Sequence, residues 1–241
     1  MASCHFLITG FGPFPGVPDN TSARLIESLA RRRVLARLGC PVEAVVLPTE
    51  WTQVALLAPA LLRRHNPRLV LHFGVSDIAS GFRIERAAHN RIARRPDASG
   101  LIAGKRKIQQ HGNHRLMTRI PVPELAKHMR KQGLSAITSS SAGSYVCNFL
   151  YYLTLDWASR QHAADACFVH IPHANGRGGP MSEEDLLRGA ESVLGYLLAF
   201  AEARDRTPSD GAVRGAALRA GQGSRCSGPK WRGCAWDQNK V

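Results

Sequence analysis

Nowhere in the 241 residues is there an apolar run of the roughly 18 residues that a membrane-spanning helix needs. Close cysteine pairs are also missing. The six cysteines stand at 4, 40, 147, 167, 226 and 234, with no CxxC and no zinc-ligand spacing. They are expected to be free thiols in a reducing compartment, and no metal or other cofactor is expected. No basic segment precedes the first apolar residues. Met1 to Gly10 reads as an opening strand rather than a secretory signal, so a cytoplasmic protein with no membrane association is expected. Acidic residues are few, 18 against 32 Lys and Arg, giving a net charge of +14. That excess invites a nucleic-acid reading. The basic residues are scattered, however, and no nucleic-acid-binding motif accompanies them. A solvated basic surface with nonspecific affinity for polyanions is the better account, and no specific nucleic-acid partner is expected.

What is present is a hydrophobic content of 44%, enough for a real core, arranged in alternating strand and helix patterns. His5 to Thr9 reads as a strand running into the loop Gly10–Phe11–Gly12–Pro13–Phe14–Pro15–Gly16. Ser22 to Leu38 carries Leu25, Ile26, Leu29, Val34 and Leu35 at helical spacing. Val42 to Leu47 is a strand, Thr49 a candidate cap for a helix over Glu50 to His65, and Leu69 to Phe73 a buried strand. Between Val75 and about Pro121 the pattern weakens into a long irregular segment, of the kind that is usually functional or mobile. Pro123 to Gln132 (helix), Ala136 to Ser139 (strand), a helix from Cys147 to about Ser159, and Ala166 to Ile171 (strand) follow. Ser182, with Asp185 three residues on, caps a last helix to about Ala203. Such alternation predicts parallel strands joined by crossover helices: an α/β fold, a three-layer α/β/α sandwich around a mostly parallel twisted sheet. Residues 1–207 form the expected catalytic domain. Residues 208–241 are rich in Gly, Ser and Arg without periodicity, hold Trp231 and Trp236, and read as a disordered tail.

Cys147 is the most informative residue. Small residues, Ser139 to Ser144, give way to an apolar run from Phe149, which reads as a tight turn feeding a helix. A thiol in a first helical turn faces unpaired N–H groups and the positive end of the dipole, both of which favour thiolate, the nucleophilic form. His170 lies downstream in an apolar strand. A sulfur to attack and an imidazole to move the proton are the pair that a cysteine peptidase or amidase requires. Taken alone, each has a plainer reading, as a small buried Cys and as a satisfied core His.

Four segments settle the choice between these readings. They are Gly10–Phe11–Gly12–Pro13–Phe14, Phe82–Arg83–Ile84–Glu85–Arg86–Ala87–Ala88–His89–Asn90, Ala142–Gly143–Ser144–Tyr145–Val146–Cys147–Asn148 and Phe168–Val169–His170–Ile171–Pro172. In these, in order and with matching spacing over about residues 5–203, the chain resembles the pyroglutamyl-peptidase I family (peptidase family C15). The family consists of α/β/α cytosolic cysteine exopeptidases that remove an N-terminal pyroglutamyl residue without a metal. The resemblance implies Cys147 as nucleophile, His170 as general base and acid, and Glu85 as third member. Without it, Glu85 reads as a surface carboxylate beside Arg83 or Arg86.

The resemblance also implies the substrate contacts. Pyroglutamate is a neutral lactam, so its recognition needs flat apolar walls and a few amide partners rather than an acidic pocket. Phe11 and Phe14 fall at the family's ring-binding walls, Tyr145 and Val146 beside the ring, and Asn20 among the substrate-binding positions. Arg94, with Arg95 as competitor, matches an Arg of the family, while the Cys147 N–H is a candidate oxyanion donor. Pyroglutamylated peptides are the implied partners; bacterial members are often tetramers, which leaves self-association open here. Two departures stand out. Gly74–Val75 replaces a Gly–Gln found in many bacterial members, and His173–Ala174–Asn175–Gly176–Arg177 replaces a bulky apolar continuation after Pro172. They motivate an alternative, a weak or inactive binding protein on the same scaffold.

Overall fold

The computed structural model of the chain describes residues 6–31, 35–161, 163–174 and 179–206; the expected tail at 208–241 lies outside them. The first strand, β1 (Phe6–Phe11), is buried along its whole length. Helix α1 (Thr21–Arg31) follows, capped by Asn20, whose Oδ1 accepts the Ser22 N–H at 3.0 Å. Of the single helix expected over 22–38, the described residues show α1 and a 3-10 turn at Leu35–Leu38; residues 32–34 lie outside them.

β2 (Val42–Leu47) leads to α2 (Trp51–His65), and α2 to β3 (Leu69–Val75). The expected Thr49 cap is not what holds the start of α2. Thr49 Oγ1 donates instead to Gly12 O at 2.8 Å, while the α2 donor Trp51 N–H reaches Asp97 Oδ2 at 2.8 Å. A carboxylate 46 residues away completes the helix. Local sequence rules carry no trace of such a cap.

The segment read as irregular contains β4 (Phe82–Glu85) and a small antiparallel ribbon of β5 (Ala87–His89) and β6 (Arg115–Met117). β4 is an internal strand, which corrects the sequence reading. At four residues it is too short for alternation to stand out, although Phe82 and Ile84 are fully buried. α3 (Val122–Lys131), β7 (Ala136–Ser139), α4 (Val146–Ser159), β8 (Asp165–Ile171) and α5 (Glu183–Arg206) complete the chain. Ser182 caps α5 as expected, its Oγ accepting the Asp185 N–H at 3.0 Å.

The six-stranded sheet has the order β2-β1-β3-β8-β4-β7. Its pairs are parallel except β4 with β8. One face is covered by α1, α3 and α5 through Leu25, Leu29, Leu125, Met129, Leu187 and Val193. On the opposite face lie α2 and α4, contributing Trp51, Val54, Leu62, Phe149 and Tyr152. This is the expected α/β/α sandwich, with a mixed rather than purely parallel sheet. Among the described residues no helix is long and apolar enough to cross a membrane.

Candidate active site

The antiparallel β4–β8 pair sets the first contact. Glu85 stands opposite Phe168, so His170, two residues on, is its diagonal neighbour on the same face. Long side chains bridge that diagonal: His170 Nδ1 lies 2.9 Å from Glu85 Oε1. A carboxylate only accepts, so Nδ1 carries the proton and donates it, and Nε2 is left with its lone pair. Glu85 is 1% exposed and His170 7%. The second carboxylate oxygen, Oε2, is buried without a hydrogen-bond partner. A half-satisfied buried carboxylate gains most when the imidazole beside it becomes a cation.

The sulfur reaches the same face from α4. Gly74 pairs with His170 across the parallel β3–β8 ladder. A Cβ on Gly74 would stand 3.0 Å from Cys147 Sγ and 3.0 Å from the Phe168 ring. The sulfur therefore rests on the bare backbone of β3, one strand spacing from the His170 backbone, about 4.8 Å. Phe168 stacks beside His170 with ring centroids 4.7 Å apart. Cys147, His170 and Glu85 thus lie on one face of the sheet.

The start of α4 is open. Gly143 takes a φ of +84° in the turn before it, a conformation that favours glycine. Tyr145, at the N-cap, supplies no side-chain cap bond. The first helical bond runs from Phe149 N–H to Tyr145 O at 3.1 Å, which leaves the Cys147 N–H among the donors without an intrahelical acceptor. That N–H lowers the thiol pKa, as the sequence implies, but it is outweighed. Burial pushes the Cys147 thiol up to about 12, with the negative charge of Glu85 adding to the rise. Burial thus works against the resting thiolate that the helix start alone suggests, and the thiol form is favoured at neutral pH.

The substrate-binding positions fall into two groups. Phe14 and Tyr145 are half-buried with ring centroids 6.1 Å apart, and Arg94 is exposed. Phe11, Val146 and Asn20 are 1%, 0% and 2% exposed and stand behind the surface. Asn20 ties the glycine loop to α1, Nδ2 donating to Gly12 O at 2.9 Å. Its amide is occupied in holding the loop that carries Phe14.

Several residues passed over in the sequence matter here. Trp51, 1% exposed, packs edge-on against Tyr145 at 5.3 Å and against Phe149 at 5.8 Å, backing the Tyr145 ring from inside the core. Arg95 lies over the Tyr145 ring at 4.9 Å, while the Tyr145 hydroxyl donates to Pro96 O at 2.8 Å. Asn148, next to Cys147, accepts the His89 N–H and donates to His89 O, each at 2.8 Å, clamping the β5 segment to α4. Adjacency to Cys147 within one motif was the available signal for Asn148; Trp51 offered none.

Val75, the departure from Gly–Gln, packs partly buried against the core on the α1, α3 and α5 side, the face opposite the sulfur. His173 is held by Asp77, Nε2 to Oδ1 at 2.9 Å, and Asn175 to Gly178 lie outside the described residues. Cys147 and Cys167 are free thiols, and Cys4, Cys226 and Cys234 fall outside the described residues.

Comparison with known proteins agrees with this geometry. The family model described as Pyroglutamyl peptidase matches residues 4–177. The chain is 30% identical to mouse pyroglutamyl-peptidase 1 over 200 residues, 81% of this chain and 90% of the relative. Among solved structures, the pyrrolidone carboxyl peptidase of Thermococcus litoralis superposes with a TM-score of 0.75 at 27% identity, covering 84% of this chain and 96% of that one. Pyroglutamyl peptidase I of Bacillus amyloliquefaciens gives 0.72 at 26% identity, with 82% and 98% covered. A chain that matches in sequence, in fold and in length, and that gathers a thiol, an imidazole and a carboxylate on one sheet face, belongs to the pyroglutamyl peptidase family.

Proposed function

We propose that this protein is a cysteine exopeptidase that hydrolyses the amide bond following an N-terminal pyroglutamyl residue. The observation that carries the reading is the His170–Glu85 bond at 2.9 Å on the face where Cys147 sits over Gly74. The lactam ring enters the slot walled by Phe14 and Tyr145. Neutral apolar walls suit it, since it has no ammonium to pair with a carboxylate.

In the first step His170 Nε2 takes the thiol proton as Sγ attacks the pyroglutamyl carbonyl carbon. The C–S bond forms, and the carbonyl electron pair moves onto oxygen. Glu85 holds the ring through Nδ1–H and stabilises the imidazolium. The Cys147 N–H at the open end of α4 receives the oxyanion. The imidazolium then protonates the departing amine as the C–N bond breaks. His170 next takes a proton from water, whose oxygen attacks the thioester. Collapse of that intermediate breaks the C–S bond, returns the proton to sulfur and frees pyroglutamate. Arg94, exposed on the adjoining segment, is a second candidate for supporting the oxyanion.

A reducing cytoplasm suits this chemistry, because the nucleophile must remain a free thiol. The alternative of an inactive binding protein is not favoured. One of its two motives, Val75, faces away from the sulfur. The test is turnover of a pyroglutamyl–arylamide under thiol reductant by the wild-type chain and by Cys147→Ala. The reading expects turnover in the former and its abolition in the latter with the circular dichroism spectrum kept; undiminished turnover in the variant contradicts it.

A further inference from the structure

The segment bordering the slot is charged in one sense. From Arg86 to Pro123 the chain holds nine Lys and Arg and a single carboxylate, Asp97. That carboxylate is turned inward: it is fully buried and accepts the N–H groups of Trp51, Ser99 and Leu101 at 2.8–2.9 Å. Its charge is held within a turn and a helix start, away from solvent. Glu50, the α2 N-cap, is the nearby carboxylate on the neighbouring element.

The arginines are turned outward. Arg91, Arg94, Arg95 and Arg106 are exposed. Several contacts fix them beside the site. Ala93 N–H bonds Ser144 O at 2.8 Å, so residue 93 is laced to the turn three residues before Cys147. Arg91 Nε donates to Gly143 O at 3.3 Å, and Ile92 N–H reaches Arg106 O at 2.9 Å. Arg95 lies on the Tyr145 ring at 4.9 Å, the ring that the reading above assigns to one wall of the lactam slot. The lactam itself is neutral and offers no charge for these arginines to pair with. A peptide with a pyroglutamyl end has also lost its ammonium, so its charge is set by the residues after the lactam and by its carboxyl end.

We propose that Arg95, flanked by Arg91 and Arg94, makes this rim a selector for anionic peptides, favouring substrates whose first residues after pyroglutamate carry carboxylates. The inference rests on the pyroglutamyl-peptidase reading. Exposed charges act through solvent, so the preference is modest per charge and screened by salt, with a Debye length of about 10 Å at 0.1 M. It appears mainly in kcat/KM, through capture, rather than in the chemical step.

The test compares C-terminally amidated peptides that differ only in Glu, Gln or Lys after pyroglutamate, with released pyroglutamate as the readout. At low ionic strength the expected order is Glu, then Gln, then Lys, spanning roughly three- to tenfold in kcat/KM. The span should shrink towards unity near about 0.5 M salt. In Arg95→Glu the ratio of Glu to Lys substrates should fall or invert. Equal rates for all three peptides, or an order that neither salt nor Arg95→Glu moves, overturn the proposal. Failure to hydrolyse any of them, together with failure on a neutral pyroglutamyl–arylamide, would overturn the enzymatic reading beneath it.

Discussion

Gly74 is bare where any side chain would strike the reactive sulfur. Its missing Cβ leaves the 3.0 Å gaps to Cys147 Sγ and to the Phe168 ring. Gly74→Ala should therefore displace the sulfur while leaving the sheet in place. The expected result is a loss of about 1–3 kcal/mol in stability and a fall of roughly ten- to a hundredfold in kcat, measured by urea unfolding and arylamide turnover. The protonation state of Cys147 gives a second prediction at this scale. With its pKa raised by burial to about 12, the thiolate fraction keeps growing through the alkaline range. Iodoacetamide labelling of Cys147, followed by peptide mapping, should climb by up to about tenfold per pH unit from pH 7 to pH 10. A plateau below pH 8 would show a preformed thiolate instead. The candidate residues Cys147, His170 and Glu85 were legible in the sequence because each sits within a short motif. The resting state of the sulfur was not, since the helix start visible in the motif is outweighed by burial created by β3 and β8.

At the scale of elements, α4 has to hold the sulfur at a fixed height over the sheet. Two contacts do this from inside the core. The Tyr151 hydroxyl donates to Glu85 O at 3.0 Å, and Thr154 Oγ1 lies 3.0 Å from His72 Nε2. The other His72 nitrogen, Nδ1, is 2.7 Å from Thr9 Oγ1 on β1. His72 thus links β1, β3 and α4. Burial lowers its pKa from 6.5 to about 3, so it is neutral in the folded protein. The unfolded chain takes up the proton first as pH falls. Stability from this group is complete above about pH 6.5 and is lost progressively down to about pH 3, by about 2 kcal/mol at pH 5. Urea unfolding at pH 7.5 and pH 5 should show that loss in the wild-type chain and a smaller one in His72→Gln. Equal losses would contradict it. In the sequence, Leu69 to Phe73 read only as a buried strand, and the role of the histidine within it was invisible. Its partners are 63 and 82 residues away. The Asp97 cap on α2 escaped for the same reason, and β4 escaped because four residues carry too little pattern.

Across the whole molecule, the strand–helix alternation made the three layers legible, because each amphipathic segment can bury its apolar face only against the sheet. The fastening at the other end of the strands, away from the site, was not. Asp165 opens β8 and is 1% exposed. Arg68, before β3, and Arg119, before α3, each reach it at 2.9 Å, and Arg204 of α5 also bonds it. One carboxylate joins the starts of β3, β8 and α3 to the end of α5. Asp165→Ala would leave those arginines facing one another around an empty site. It should cost about 3–5 kcal/mol, read as a lowered urea midpoint, and a change within about 0.5 kcal/mol of zero would contradict that role. The account as a whole turns on a covalent thioester between the pyroglutamyl group and Cys147. Acid quenching during turnover of a pyroglutamyl–arylamide, followed by peptide mass spectrometry, tests it directly. The expected result is one pyroglutamyl group on the peptide containing Cys147 and none in Cys147→Ala; steady turnover with that peptide unmodified, or with the group on another residue, would contradict it.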